Sequence, residues 1–208
     1  RRHQPTQSTP MSAPTYDITI VKGKTFAQAY LYASEKVVFK QITGSPLAAP
    51  YRITVPAHGV PDGWPVRIEG AKAPLELNTQ QCDYLIATVI DVNTIEFNGL
   101  NGSAWKAYTT GGVLVYNEPA PLTGWRARAQ VRARVGAPVL FSWDSDAGAN
   151  PDGLITIAGP VLTLNIDAVK AAALDWSNGL YDLEVEKDGE VRQMIAPSTC
   201  TVVGEVTV

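Results

Sequence analysis

The chain has 208 residues, enough for one large domain or two small ones with hydrophobic cores of their own. Hydrophobic residues make up 45% and charged residues 18%, and the 17 glycines and 15 prolines predict many turns and therefore many short strands. A formal net charge of −3 argues against nucleic acid as a partner, which needs clustered Lys and Arg. Without a run of about 20 apolar residues, we expect no membrane insertion.

Residues 1–15 contain Gln, Ser, Thr and Pro and almost no apolar side chain. Such a segment cannot bury enough surface to order itself. We therefore expect an extended N-terminal arm that becomes ordered only against a partner, with Arg1 and Arg2 as candidate partner-binding residues.

From Tyr16 onward, alternating apolar residues predict two strands joined by a tight turn at Gly23, and Val37–Thr43 predicts a third strand. The two prolines in Ser45–Pro50 then break the pattern. We place a domain boundary there.

Residues 46–118 predict a small β-barrel, because short strand segments alternate with turn clusters. Asp91-Val92-Asn93-Thr94 lies between two of these segments and predicts a hairpin turn in which Asx side chains bond the local backbone. The predicted strands are Tyr51–Val55, Pro65–Gly70, Tyr84–Asp91, Thr94–Asn98 and Gly112–Tyr116.

A second boundary follows at the prolines of residues 119–121, and strict alternation over Trp125–Arg134 then predicts a half-buried strand. Asp167–Trp176 predicts one short crossover helix capped by Asp167, and Lys187–Glu190 carries Asp-Gly turn chemistry. The other predicted strands are Val139–Trp143, Leu154–Ala158, Val161–Ile166, Tyr181–Glu186, Val191–Ile195 and Thr201–Val208.

These elements predict an all-β protein. Residues 16–45 are too few to bury an apolar face alone, but together with residues 119–208 they supply enough strands for a sandwich. We therefore expect a discontinuous β-sandwich domain, 16–45 and 119–208, interrupted by the barrel domain at 46–118.

Catalytic motifs are not apparent in the sequence. The only histidines are His3, in the arm, and His58, in a Gly-Pro turn that favours a surface or packing role. Neither a Gly-x-Ser-x-Gly elbow nor a phosphate-binding glycine loop nor a zinc-type cysteine pair accompanies them. The sequence predicts no enzyme activity and no cofactor.

One loop is the best metal candidate, since alternate acidic side chains suit a hard cation such as Ca²⁺. It departs from the calcium-loop pattern, with Gly148 where a third ligand belongs and no terminal Glu, and its residue types are also common in turns. We favour a plain turn for these residues, Asp144, Asp146, Asn150 and Asp152.

Two charged stripes have two interpretations. Either stripe could contact a partner, or the stripes neutralise each other across neighbouring strands, each pair contributing roughly 0.2–1 kcal/mol. We favour neutralisation, while the basic stripe stays a candidate partner-binding surface. The stripes are Arg126, Arg128, Arg132 and Arg134, and Asp182, Glu184 and Glu186.

Aromatic residues offer a second candidate surface. Indole provides a flat apolar face and one donor, as in platforms that stack on sugars. Trp64, Trp105 and Tyr108 of the barrel are therefore candidate contacts for a host glycan, whereas Trp125, Trp143 and Trp176 fit core positions.

The two ends of the sandwich domain carry a family resemblance. Together they resemble the immunoglobulin-like N-terminal domain of baseplate upper proteins of tailed bacteriophages, which implies an immunoglobulin-like β-sandwich without catalytic residues. The stretches are Tyr16-Asp17-Ile18-Thr19-Ile20-Val21-Lys22-Gly23 with Phe26, and Gly179-Leu180-Tyr181-Asp182-Leu183-Glu184-Val185 before Asp188-Gly189-Glu190-Val191.

The barrel segment resembles small β-barrel modules embedded in phage tail proteins. The resemblance implies a structural or adaptor protein of a phage tail or baseplate that binds other virion proteins, forms a homo-oligomer in the particle and is assembled in the host bacterial cytoplasm. A carbohydrate-binding module and a capsid decoration protein are the alternatives. The stretches are Ile53-Thr54-Val55, His58-Gly59, Trp64-Pro65-Val66, and Thr94-Ile95-Glu96-Phe97 before Gly111-Gly112.

Overall fold

The computed structural model describes residues 13–80 and 83–205. These residues form sixteen strands, one α-helix and two short 3₁₀ turns, so the all-β prediction is confirmed. The chain divides into two compact units. Unit 1 consists of the described residues up to Tyr30 and from Leu122 onward, and unit 2 is Leu31–Pro121.

The helix, α1, spans Ala168–Ala172, and the 3₁₀ turns span Leu75–Leu77 and Ala147–Ala149. The strands are β1 (Ile18–Val21), β2 (Phe26–Leu31), β3 (Ala33–Gln41), β4 (Gly44–Ala48), β5 (Tyr51–Thr54), β6 (Pro65–Ala71), β7 (Leu85–Ile86), β8 (Thr88–Asp91), β9 (Thr94–Phe97), β10 (Gly111–Pro119), β11 (Arg126–Arg132), β12 (Val139–Asp144), β13 (Gly153–Ala158), β14 (Val161–Ile166), β15 (Asn178–Lys187) and β16 (Glu190–Val203).

Unit 1 is built on one eight-stranded sheet with the order β1-β16-β15-β11-β12-β13-β14-β2. The two edge strands, β1 and β2, are consecutive in the chain and are linked only by residues 22–25. Because a chain spans at most about 3.5 Å per residue, this link keeps the two edges near each other. The sheet therefore curls into a nearly closed, barrel-like form.

The interior of unit 1 is filled by alternate residues of its strands. On β11, for example, Ala127, Ala129 and Val131 are buried while the residues between them face outward. Gly153 lies so close to Trp143 that an added Cβ would come within 2.5 Å of the indole ring. Only glycine allows this packing, and Trp143 is 1% exposed as a result.

Three tyrosines tie the start of the chain to the interior of unit 1. The Tyr181 hydroxyl donates a hydrogen bond to the backbone oxygen of Tyr16, and the Tyr30 and Tyr181 hydroxyl oxygens lie 2.8 Å apart. Since Tyr181 uses its proton on Tyr16, Tyr30 is the donor to Tyr181. Burial raises the pKa of both Tyr30 and Tyr181, that of Tyr30 to about 12, so both phenols stay protonated donors. The chain of bonds joins β2, β15 and the segment before β1.

Unit 2 contains two four-stranded sheets, β3-β10-β6-β7 and β4-β5-β9-β8. The chain continues from β3 into β4 and from β7 into β8, so the two sheets are joined at both ends and enclose one core in a barrel-like arrangement. Trp64, Ile68, Phe97 and Leu114 are among the fully buried core side chains.

The predicted hairpin in unit 2 is confirmed. β8 and β9 pair antiparallel around Val92 and Asn93, and the Asp91 carboxylate accepts the Asn93 N–H at 2.7 Å. This bond holds the pKa of Asp91 below its usual range. His58 is 2% exposed: its Nδ1 accepts the Val60 N–H at 3.0 Å, so its Nε2 donates to the Asp91 carbonyl at 2.9 Å. His58 therefore connects the backbone at Asp91 to the backbone at Val60.

The boundary expected near residue 45 lies elsewhere. Gly44–Ala48 forms β4 despite Pro46. This proline lies at an irregularity in the pairing with β5, so its missing N–H costs no hydrogen bond of the ladder. β3 pairs with β10, so the compact unit begins at Leu31 and ends at Pro121.

The expected arm, residues 1–15, makes a backbone contact with unit 1. The Pro14 carbonyl accepts the Ala196 N–H at 2.8 Å, so the residues bonded to unit 1 begin before Tyr16.

The helix is shorter than the predicted Asp167–Trp176. Asp167 caps it as predicted, its carboxylate accepting the Lys170 N–H at 2.8 Å. The Ala173 N–H then bonds to the carbonyls of both Val169 and Lys170, which tightens the last turn. The helix ends there, and residues 173–177 lead to β15 through a turn, irregular backbone and a bend.

The tyrosine network predicts unequal effects for two matched substitutions. Tyr181→Phe leaves the buried Tyr30 hydroxyl without its acceptor and the Tyr16 carbonyl without its donor, so we expect the free energy of unfolding to fall by about 1–3 kcal/mol. Tyr30→Phe leaves the bond from Tyr181 to Tyr16 intact and should cost about 1 kcal/mol or less. Urea unfolding followed by circular dichroism checks both; equal losses would contradict the donor order.

Candidate functional site

A cleft of about 410 Å³ lies on the outer face of the unit 1 sheet. We call it the arginine cleft, because Arg128 and Arg132 of β11 and Arg134 of the following turn line it. Opposite them stand Asp182 and Glu184 of β15. These side chains alternate along their strands with buried core residues, which is why they share the outer face.

The basic and acidic stripes pair in part across neighbouring strands: Arg126 and Arg128 lie within ion-pair distance of Glu184 or Glu186, as the favoured interpretation predicted. In the β11–β15 ladder Arg128 stands directly opposite Glu184. Its Nη2 lies 2.7 Å from Glu184 and 2.8 Å from Glu186, with all three side chains about one third exposed. Arg128 is therefore both a wall of the cleft and part of an ion-pair network within the sheet.

Arg126 is held still more firmly and does not line the cleft. Its Nε and Nη2 donate to the two carboxylate oxygens of Asp144 at 2.9 and 2.7 Å, a bidentate pair. Burial of Asp144 would raise its pKa, but the Arg126 guanidinium and the Asp146 N–H outweigh burial and lower it overall. The same pair raises the pKa of Arg126.

The turn after β11 presents the remaining cation. Arg132 donates to the Ala137 carbonyl and, at 2.7 Å, to the side chain of Gln130, which fixes the turn over the sheet. Arg134 is exposed on that turn next to Val135, which is 82% exposed. Arg134 was predicted from the sequence as a partner-binding residue, whereas Val135 was not, because its only signal is that it follows the alternating strand.

Asp182 is the unusual acid of the arginine cleft. Burial, and next the negative charge of Glu184, raise its pKa, while Arg132 pulls it only partly back. The fold therefore stabilises its charged form less than water does. A cation brought by a partner would relieve this, just as a partner's carboxylate would suit Arg134.

The acidic loop uses its side chains to hold its own shape. Asp146 accepts the Gly148 N–H at 2.8 Å, and Asp152 accepts both the N–H and the hydroxyl of Ser142 at 2.9 Å. Asn150 adopts a left-handed conformation with φ 53°, and Asp144 is paired with Arg126. Within residues 13–80 and 83–205, no three His, Cys, Asp or Glu side chains are grouped so that they could hold a metal ion.

The aromatic candidates of unit 2 are placed unequally. Trp64 is 1% exposed and its Nε1 donates to the Asn117 carbonyl at 3.0 Å, so the ring has no face free to stack on a sugar. Trp105 is half-buried against Tyr51, with ring centroids 5.2 Å apart. The Tyr108 hydroxyl is bonded to the backbone.

The two arginines of the expected arm cannot be placed, because Arg1 and Arg2 lie outside the described residues. His58, the other residue weighed for chemistry, lines a separate cleft with Tyr116 and Glu118. Both of its ring nitrogens are engaged with backbone groups. Neither nitrogen is free to exchange a proton with a substrate in this conformation.

Removing the charge of Asp144 should weaken the fold in a pH-dependent way. Because the folded-state pKa is lowered, the stabilisation is present above the ordinary value of 3.8 and is lost as the pH falls through the folded pKa. Asp144→Asn should lower the free energy of unfolding by about 1–3 kcal/mol at neutral pH, with the difference vanishing in acid. Urea unfolding across a pH series checks this, with Asp188→Asn, in a turn that tolerates Asn, as the control.

Removing the charge of Asp182 should have the opposite effect. Its folded-state pKa is raised, so the ionised carboxylate destabilises the fold above that pKa and has no effect below the ordinary value of 3.8. We expect Asp182→Asn to increase the free energy of unfolding at neutral pH, and the gain to disappear as the pH falls toward 3.8. A loss of stability at neutral pH in the same unfolding series would show that Asp182 has a stabilising partner in the folded chain.

No protein-family model and no curated protein matches this sequence. None of the described residues belongs to a helix long and apolar enough to cross a membrane.

Proposed function

We propose that the protein is a non-enzymatic structural or adaptor component of a bacteriophage tail or baseplate, joining other virion proteins by protein–protein contacts. The observation that carries the proposal is the arginine cleft, where Arg134, the 82% exposed Val135 and the carboxylate of Asp182 line one surface. The described residues of this cleft offer contacts for a protein surface.

The composition of the arginine cleft supports a protein partner. Arginine is enriched at protein interfaces, and its planar fork binds carboxylates in fixed geometry. Val135 and the 37% exposed Leu180 add apolar area next to these charges. A partner that brings one acidic and one basic side chain would pair with Arg134 and Asp182 at the same time.

The phage assignment is supported by the resemblance of the two stretches, Tyr16–Gly23 with Phe26 and Gly179–Val191, to baseplate upper proteins. We include in the proposal that unit 1 is related to immunoglobulin-like domains. Opposite walls of its curled sheet pack on one core, as the two layers of a sandwich do. We also propose that the protein forms a homo-oligomer in the particle, after assembly in the host bacterial cytoplasm.

The proposal predicts where the protein is found. Virions of the phage that encodes the chain would be purified, their tails separated from their capsids, and both fractions analysed by mass spectrometry. We expect the chain in the tail fraction. Recovery with capsids would instead support a decoration role, and absence from intact virions would overturn the proposal.

Variants of the same phage test whether a virion partner binds the arginine cleft. Arg134→Glu reverses an exposed charge on the cleft, and Lys72→Glu is the matched control because Lys72 is an exposed cation in unit 2, outside the cleft. We expect fewer complete tails and at least a tenfold lower titre for the first variant, because a reversed charge would repel the partner's carboxylate. Equal titres for the two variants would show that the partner does not use this cleft.

A further inference from the structure

Two adjoining clefts open at one end of the unit 1 sheet. β11 ends and β12 begins at this end, and the pairing of Asn178 with Thr201 and of Val21 with Val203 places the start of β15 and the ends of β16 and β1 there as well. The clefts have volumes of about 420 and 570 Å³. Both volumes fall in the size range of small-ligand sites, which occur often at the mouths of β-barrels.

Trp176 stands between the two clefts. It lies on the crossing from α1 to β15, is half-buried, and lines both clefts together with Leu140 and Asp175. Leu140 is 37% exposed, so the shared wall is an indole beside an accessible aliphatic side chain. Such a wall suits the apolar face of a ring-shaped ligand.

The rim of the clefts is polar but balanced in charge. Lys22 and Lys170 provide two cations, and Asp152 and Asp175 provide two carboxylates. A charged ligand would therefore meet as much repulsion as attraction, whereas a neutral ligand with many hydroxyl groups finds both donors and acceptors. Asn178 adds an amide to the larger cleft.

The indole N–H of Trp176 is not committed to the fold. It is shielded from solvent and has no hydrogen-bond partner among the described residues. Trp64, by contrast, donates its N–H to the Asn117 carbonyl. A ligand oxygen that accepted this N–H would therefore satisfy it without breaking a hydrogen bond of the fold.

We propose that this end of unit 1, the Trp176 mouth, is a binding site for a neutral carbohydrate that stacks one sugar ring on Trp176 and extends into the second cleft. Two clefts on either side of one indole fit a chain of linked sugars better than a single compact molecule. The inference does not depend on a tail location, and the site differs from the sugar surface expected at Trp105 and Tyr108.

Saturation-transfer difference NMR on the full chain tests the proposal. The probes are neutral trisaccharides of glucose, galactose, mannose and N-acetylglucosamine, with an acidic hyaluronan tetrasaccharide for comparison. We expect at least one neutral probe to bind with a dissociation constant on the order of 1 mM or tighter. The strongest transfer should come from the protons on one face of a sugar ring.

Variants then locate the site. Trp176→Ala should weaken binding of that probe at least tenfold and Trp176→Phe much less, while Trp105→Ala, the matched half-buried tryptophan of unit 2, should change nothing. Asp175→Ala, an exposed position shared by both clefts, should weaken binding severalfold and remains informative if Trp176→Ala fails to fold. The inference is overturned if no neutral probe binds, if only the acidic probe binds, or if Trp105→Ala rather than Asp175→Ala abolishes binding.

Discussion

The short link between β1 and β2 is the constraint on which unit 1 depends. These strands form opposite edges of one eight-stranded sheet, yet only residues 22–25 separate them. The sheet can satisfy both conditions only by curling back on itself. Curling gives it a single interior, in which Trp143 and Tyr181 are fully buried. The network from Tyr30 through Tyr181 to Tyr16 stabilises this closure from within.

Closure also determines where the charges of unit 1 lie. Once alternate residues of β11 and β15 fill the interior, the residues between them must share the outer face. Opposite charges then stand directly across the ladder, as Arg128 does from Glu184, and the bidentate pair of Arg126 with Asp144 continues the network toward β12. Sheet pairing thus engages Arg126 and Arg128, the first two cations of the stripe. The exposed Arg134 lies beyond the end of β11, on the turn, and is left available for another molecule.

The features that were predictable from sequence are those set by neighbouring residues. Alternation along β11, the Asx turn at Asp91, the Asp167 cap and the positive φ angles of Asp188 and Gly189 in their turn each need only a few residues of context.

What escaped prediction is set by distant partners. The parallel pairing of β1 with β16 joins segments more than 180 positions apart, with Ile18 opposite Cys200, and no local pattern encodes it. Pro46 was predicted to mark the end of a domain, but a proline at a pairing irregularity is compatible with a strand. For the candidate sites, the arginine stripe was predictable, but the turn that lines the arginine cleft was not. Trp176 was predicted to be a core residue and is only half-buried.

A well-folded chain normally satisfies its buried and titratable groups, so the exceptions carry information about function. Burial and the charge of Glu184 raise the pKa of Asp182, and the Trp176 N–H has no acceptor among the described residues. Each group borders a cleft. The Trp143 N–H also lacks a partner, but it lies in the core against Gly153, where burial of a whole indole offsets one unmade hydrogen bond. Such an offset is smaller for the half-buried Trp176, so a bound molecule is the simplest source of the acceptor that its N–H lacks. At Asp182, a cation from another molecule would oppose the negative charge of Glu184.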